Sequence, residues 1–140
     1  MRILGLDLGR KRMGIAISDE LGWTAQGLET LEREAIGKDL DHLARVIQDY
    51  GVTELVVGLP KNQYGEIGAA AQEVLDFVEL CKARFDIPIV TWDERFTTVA
   101  ATRYLIEADL SRKKRKKVVD KVAAVLILQG YLDRRSRERK

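Results

Sequence analysis

Hydrophobic positions along the chain alternate in period before any single residue stands out. Residues 2–8, 13–18 and 23–32 form short apolar or alternating runs, separated by turns carrying Gly9, Gly14 and Gly22. That spacing predicts three consecutive antiparallel strands. Ile36, Leu40, Leu43, Ile47 and Tyr50 then recur at helical intervals, which predicts a helix over 36–50 closed by Gly51. Val52 to Gly58 reads as a buried strand ended by Leu59 and Pro60, and a loop with Gly65 follows. A second helix is expected over 68–84, its stripe formed by Ala71, Val74, Leu75, Val78, Cys81 and Phe85. A fifth strand over 87–91, a third helix over 97–108, a basic loop at 111–117, a last helix over 117–133 and a frayed tail at 134–140 complete the chain. The order βββαβαβαα calls for a mixed five-stranded sheet. The strands joined through helices pair in parallel by right-handed crossovers.

At 140 residues the chain is read as one domain, residues 1–140, without repeats or linkers. No apolar stretch approaches the roughly 20 residues that span a bilayer, and the opening residues show no signal-peptide pattern. A cytoplasmic protein with no membrane partner is therefore expected. Cys81 and His42 are the only residues of their types, which argues against a Cys/His zinc site. A metal here would be a hard cation held by oxygens.

The net charge of +2 conceals an asymmetry: residues 1–110 carry 12 Lys or Arg against 19 Asp or Glu, and residues 111–140 carry 12 against 3. Positive charge concentrated in one element is the mark of a surface that meets polyanions. A solvated basic tail is the plainer alternative.

Three acids change the picture further. Asp7 interrupts the first apolar strand, where a carboxylate is costly unless a cation or hydrogen-bond donors compensate it. Glu94 follows the fifth strand, with Asp93 beside it as an alternative ligand; the plainer role for either acid is to cap the third helix with Thr97 or Thr98. Asp120 shares a helix face with Ala124, Ile127 and Tyr131, in a helix whose Val122, Val125, Leu126 and Leu128 fill most of the remaining circumference. Its plainer role is an acid favoured by a helix N-terminus. Carboxylates from separate elements can bridge divalent ions for phosphodiester hydrolysis, and Mg²⁺ or Mn²⁺ suits such a set.

Four segments carry a family resemblance. They are Leu6-Asp7-Leu8-Gly9-Arg10-Lys11-Arg12-Met13-Gly14, Val57-Gly58-Leu59-Pro60-Lys61-Asn62, Asp93-Glu94-Arg95-Phe96-Thr97-Thr98, and the run from Arg112 through Asp120 to Ala124. In this order, over nearly the whole chain, they resemble the YqgF/RuvX family. These are bacterial proteins of ribonuclease H-like fold, assigned as candidate pre-16S rRNA nucleases and earlier as Holliday junction resolvases. The resemblance implies an α/β fold with sheet order 3-2-1-4-5 and Asp7, Glu94 and Asp120 as the catalytic, metal-binding set. It departs at Gln63-Tyr64-Gly65-Glu66, where the family usually carries Met-Asp-Gly-Ser, although Gly65 and Gly68 are retained.

In that sheet order the first and fifth strands stand ~9.5 Å apart. Glu94 must then reach over the end of the fourth strand, where Gly58 offers no side chain to obstruct it.

The cations acquire roles on this reading. Arg112, Lys113, Lys114, Arg115, Lys116 and Lys117 would hold phosphates beside Asp120, and Arg10, Lys11 and Arg12 would hold the scissile strand. Arg95 and Asn62 are further nucleic-acid contacts, with a turn-forming role as the alternative for Asn62. Trp23 and Trp92 are read as packing residues. Precursor rRNA is the favoured partner, in a ribosomal particle, with branched DNA as the alternative. The protein is a monomer or a homodimer. Two other classes compete. An actin-like ATPase or sugar kinase needs a second nucleotide-closing domain that 140 residues cannot supply. A binding factor with vestigial acids would use the same surface without turnover.

Overall fold

The structure, a computed structural model, describes residues 1–94 and 112–138. Within them a five-stranded sheet runs in the order β3-β2-β1-β4-β5. The strands are β1 (Arg2–Leu8), β2 (Arg12–Ser18), β3 (Ala25–Glu32), β4 (Val52–Leu59) and β5 (Ile89–Asp93). The first three pair antiparallel, and β4 pairs parallel to both β1 and β5. The predicted mixed sheet and its order are therefore present. The helix predicted over 97–108 lies outside the described residues.

Three helices are described: α1 (Ile36–Tyr50), α2 (Ala69–Arg84) and α3 (Arg112–Glu138). Helix α1 begins and ends where its apolar spacing predicts. Gly51, at φ 64°, supplies the left-handed residue that stops it.

Strand alternation divides the core in two. Leu4, Leu6, Met13, Ile15, Leu55 and Val57 face one side, where Leu43 of α1 and Val74, Phe77, Val78 and Cys81 of α2 pack on them. Ile3, Ala16, Val56 and Trp92 face the other, under Ala123, Ala124, Ile127, Leu128 and Leu132 of α3. The predicted stripe of α2 is thus core. Burial pushes the Cys81 thiol up to about 12, so it is an inert packing residue.

The second face is made differently from the first. A Cβ added to Gly5 would lie 2.7 Å from Leu128 Cβ and 3.3 Å from the Ala124 carbonyl oxygen. At Gly14 it would lie 1.9 Å from the Asp120 carbonyl oxygen, and at Gly27 2.6 Å from Lys121 Cγ. Helix α3 therefore rests on a glycine floor, its backbone nearly touching the sheet. Its far half is tied down by Glu54, which accepts hydrogen bonds from Tyr131 Oη at 2.9 Å and Arg135 Nη1 at 2.8 Å.

Several boundaries differ from the sequence expectation. Residues 112–117 are not a loop: α3 is helical from Arg112. Lys and Arg are good helix formers, and the run contains no Gly or Pro to stop propagation. Nor does the chain fray at 134, because buried Leu132, the Arg135–Glu54 pair and an Arg134–Glu138 pair at 3.4 Å hold the helix to Glu138. Val122, Val125 and Leu126 are only half-buried, so α3 buries one broad face. Strand β3 starts at Ala25 because the N–H groups of Trp23 and Thr24 are bound by Asp19 Oδ1 in the preceding turn. Strand β5 starts after Pro88, which has no N–H to give a ladder. Trp92 is buried, edge-on to Tyr131 with ring centroids 6.2 Å apart, but Trp23 is 54% exposed and is not a core residue.

Candidate active site

Asp7 is 5% exposed. Alternation along β1 puts it on the face shared by Ile3 and Gly5, under α3. Directly across the ladder its partner is Gly14. Because the Asp120 carbonyl sits against Gly14, the helix backbone at Asp120 stands one strand from Asp7. The glycine lets the helix backbone approach the sheet; any side chain at position 14 would hold it off.

Glu94 arrives from the other direction. It follows β5, whose Trp92 pairs with Gly58, and its Oε1 lies 2.8 Å from where a Gly58 Cβ would stand. Ile127 Cδ1 lies 2.4 Å from the same point. Glu94 thus crosses the end of β4 through the space that Gly58 leaves open, as its length and the sheet order require. Asp93 goes elsewhere: it pairs with Leu59, on the opposite face from Trp92, and has Lys61 Nζ at 3.9 Å. The structure therefore brings Asp7, Glu94 and Asp120 to one face and one end of the sheet, and separates Asp93 from them.

The donor chemistry of this trio is uniform. All three offer carboxylate oxygens, while His42 is bonded to Glu29 and Cys81 is buried on the other face. Such a set fits a hard divalent cation and no soft one. Among the described residues no three His, Cys, Asp or Glu side chains already stand close enough together to hold an ion.

The basic candidates separate on inspection. Arg10 and Lys11 are exposed at the tip of the β1–β2 turn, where Arg10 Nη2 stands 3.8 Å from Glu73 Oε1. Arg12 is engaged instead: its Nε donates to Glu32 Oε1 at 3.0 Å across to β3. Asn62 is a turn residue here, its Oδ1 accepting from the N–H groups of Tyr64 and Glu66, both at 2.9 Å. Gly65, at φ 80°, supplies the left-handed residue of that Asx loop, which forms with Gln63, Tyr64 and Glu66 in place. Arg95 lies outside the described residues. Residues 112–117 form the first turns of α3 and continue it beyond Asp120.

Two residues at this end of the molecule carried no sequence signal. Arg33 donates from Nη1 to the Gly9 carbonyl at 2.8 Å and from Nε to Asp39 Oδ2 at 3.1 Å. Asp39 is 2% exposed. A charged pair just before and just inside a predicted helix reads as ordinary surface; only a tertiary partner, the Gly9 turn, distinguishes it.

A mixed sheet in the order 3-2-1-4-5, with acids on its central strand, past its edge strand and on a helix crossing its face, defines a ribonuclease H-like domain. Solved structures agree on the fold. RuvC of T. thermophilus in complex with a Holliday junction substrate superposes with a TM-score of 0.60 at 15% identity, over 97% of each chain. The fowlpox virus resolvase with Holliday junction DNA gives 0.54 at 12% identity, over 96% of this chain and 98% of that one. The chain belongs to the RuvX family, described as Holliday junction resolvase, whose model matches residues 1–134. A Desulforamulus reducens relative named "Putative pre-16S rRNA nuclease" is 57% identical over 133 residues, 95% of this chain and 97% of that protein. A Bacillus licheniformis relative of the same name is 54% identical over 135 residues, with the same two coverages.

Proposed function

We propose that this chain is a metal-dependent nuclease that hydrolyses phosphodiester bonds in structured nucleic acid, with the 5′ end of precursor 16S rRNA as its substrate. The observation that carries the reading is the passage of Glu94 across Gly58 onto the face that holds Asp7 and Asp120. The strand-end glycine leaves room for the Glu94 carboxylate on the same sheet face as Asp7. RNA is favoured because relatives above half identity carry the rRNA nuclease name.

Asp7, Glu94 and Asp120 would hold Mg²⁺ or Mn²⁺, which supplies an activated water and stabilises the leaving oxygen. The chain's own groups do the rest. Buried Asp7, fixed in the central strand, is the rigid member of the set that would hold the ion. Arg10 and Lys11, just past it, hold the scissile strand, and residues 112–117 hold phosphates further along. Arg12, tied to Glu32, stiffens the hairpin rather than gripping substrate. A DNA junction reading rests on the family description, and symmetric cleavage would then require a two-fold dimer.

Purified protein given defined precursor rRNA and junction substrates with Mg²⁺ or Mn²⁺ tests both readings. Asp7→Asn should abolish cleavage and leave the fold intact, since the shape is kept and a buried charge removed. Glu94→Gln and Asp120→Asn should each weaken ion binding in calorimetry. Unchanged cleavage by Asp7→Asn, in material free of contaminating nuclease, would sink the assignment.

A further inference from the structure

The turn that follows Asp7 is held from outside the hairpin. Within it, the Gly9 N–H bonds the Arg12 carbonyl at 2.9 Å, and a Cβ on Gly9 would stand 2.7 Å from that oxygen. Arg33 then takes hold of it twice. Its backbone N–H donates to the Lys11 carbonyl at 2.8 Å, and its Nη1 donates to the Gly9 carbonyl at 2.8 Å. Both sides of the exposed Arg10–Lys11 tip are therefore fastened to one residue.

Arg33 is itself fixed. Its Nε reaches Asp39 Oδ2 at 3.1 Å, and the other Asp39 oxygen accepts the Glu34 N–H at 3.0 Å. The guanidinium carbon stands 5.9 Å from the centre of the Phe77 ring of α2. Asp39 lies in the first turn of α1, so the line from turn to Arg33 to Asp39 anchors the tip to both helices of the first core. An exposed hairpin tip needs no such anchorage to fold. One whose cations must meet a phosphate at a set distance from a catalytic acid does need it, because misplacement by about 1 Å can cost about 10²-fold in rate.

We propose that Arg33, locked by buried Asp39, is the positioning residue of the phosphate-gripping turn: it holds Arg10 and Lys11 in register with Asp7. The proposal rests on the nuclease reading above for its catalytic consequence, but not for the strap itself. Arginine is required because its planar fork spans two acceptors at once, whereas a lysine ammonium on a single stem does not. Arg10 is free to move from Glu73 to a phosphate, since an exposed pair at 3.8 Å holds it only weakly.

Arg33→Lys is the test, because it preserves charge. The expected result is a split. Affinity for precursor rRNA and its salt dependence stay within about twofold of wild type, since no phosphate contact is lost. The single-turnover cleavage rate at saturating RNA falls about 10- to 100-fold. Hydrogen exchange of the peptide covering residues 9–12 accelerates, while that of β4 stays unchanged. Asp39→Asn, which leaves the Gly9 bond in reach but removes the charge that orients Nε, should show the same split more weakly. Wild-type rate together with wild-type exchange in both variants would overturn the proposal. So would a parallel loss of affinity and salt slope, which would make Arg33 a phosphate ligand itself. Absence of cleavage by the unaltered protein would instead defeat the nuclease reading, and the exchange comparison would still decide the strap.

Discussion

Gly58→Ala isolates the step on which the site depends. The added methyl would stand 2.4 Å from Ile127 Cδ1, 3.1 Å from Ile127 Cγ1 and 2.8 Å from Glu94 Oε1, where ordinary contact begins at 3.4 Å. None of these atoms is backbone. Ile127 can give way by turning its terminal methyl, but it is fully buried, so the strain is of the order of 1–3 kcal/mol. Removing a strand glycine returns roughly 0.5–1 kcal/mol through the unfolded state. The net destabilisation is therefore about 0–2.5 kcal/mol, which a domain of ordinary stability tolerates. The carboxylate fares worse. To regain contact distance Glu94 must retreat from Gly58 by at least about 0.6 Å, and a displacement approaching 1 Å costs up to about 10²-fold. Urea unfolding and single-turnover cleavage, measured on the same preparation, should show a folded protein with about 10- to 100-fold less activity. Full activity in a folded Gly58→Ala variant would show that Glu94 does not act from across β4.

Gly14→Ala should behave differently, because its methyl would meet the Asp120 backbone at 1.9 Å, and a helix cannot rotate out of the way. A loss of ~3 kcal/mol or more in denaturant unfolding is expected together with lost cleavage, and near-wild-type stability would refute the glycine-floor account. Replacing all six cations of residues 112–117 with Gln keeps helix propensity. A helix presents about half of six consecutive positions to one surface, so the plot of log K for RNA against log salt should flatten by about 2–3 units; an unchanged slope would place the phosphates elsewhere, with Arg10 and Lys11 next.

The elements most legible in the sequence were those whose hydrophobic period is met by simple burial. Strand β1, helix α1 and the stripe of α2 follow directly from spacing. The approach of Glu94 to Gly58 was legible only through the family resemblance, which implied the sheet order that separates β1 from β5 by one strand. Other features were not. Charge suggested a loop at residues 112–117, although the same Lys and Arg residues favour helix once a downstream apolar face anchors it. Gly14 read as turn punctuation, yet it lies within β2 opposite Asp7 and serves helix approach. Arg33 and Asp39 were invisible because their meaning lies in a carbonyl 24 residues away in sequence from Arg33.

The two faces of the sheet show what the site demands of the fold. Toward α1 and α2, large side chains such as Leu4, Leu6, Met13, Ile15 and Val57 interdigitate, and that face supplies apolar burial. Toward α3, Gly5, Gly14, Gly27 and Gly58 stand where β-branched residues would have added burial and strand propensity. Each of these glycines forgoes that gain and in return lets α3 or Glu94 come close to the sheet. Gly14 admits the backbone of Asp120, Gly58 admits the carboxylate of Glu94, and Gly5 admits the helix turn at Ala124 and Leu128 that aligns the two. The floor therefore works as a unit. A methyl at Gly5 would push back at Leu128, about two turns along α3 from Asp120, and would tilt the helix end that carries the acid rather than lift the whole helix. Distance from the acids does not protect them, since they are carried on the same rigid rod.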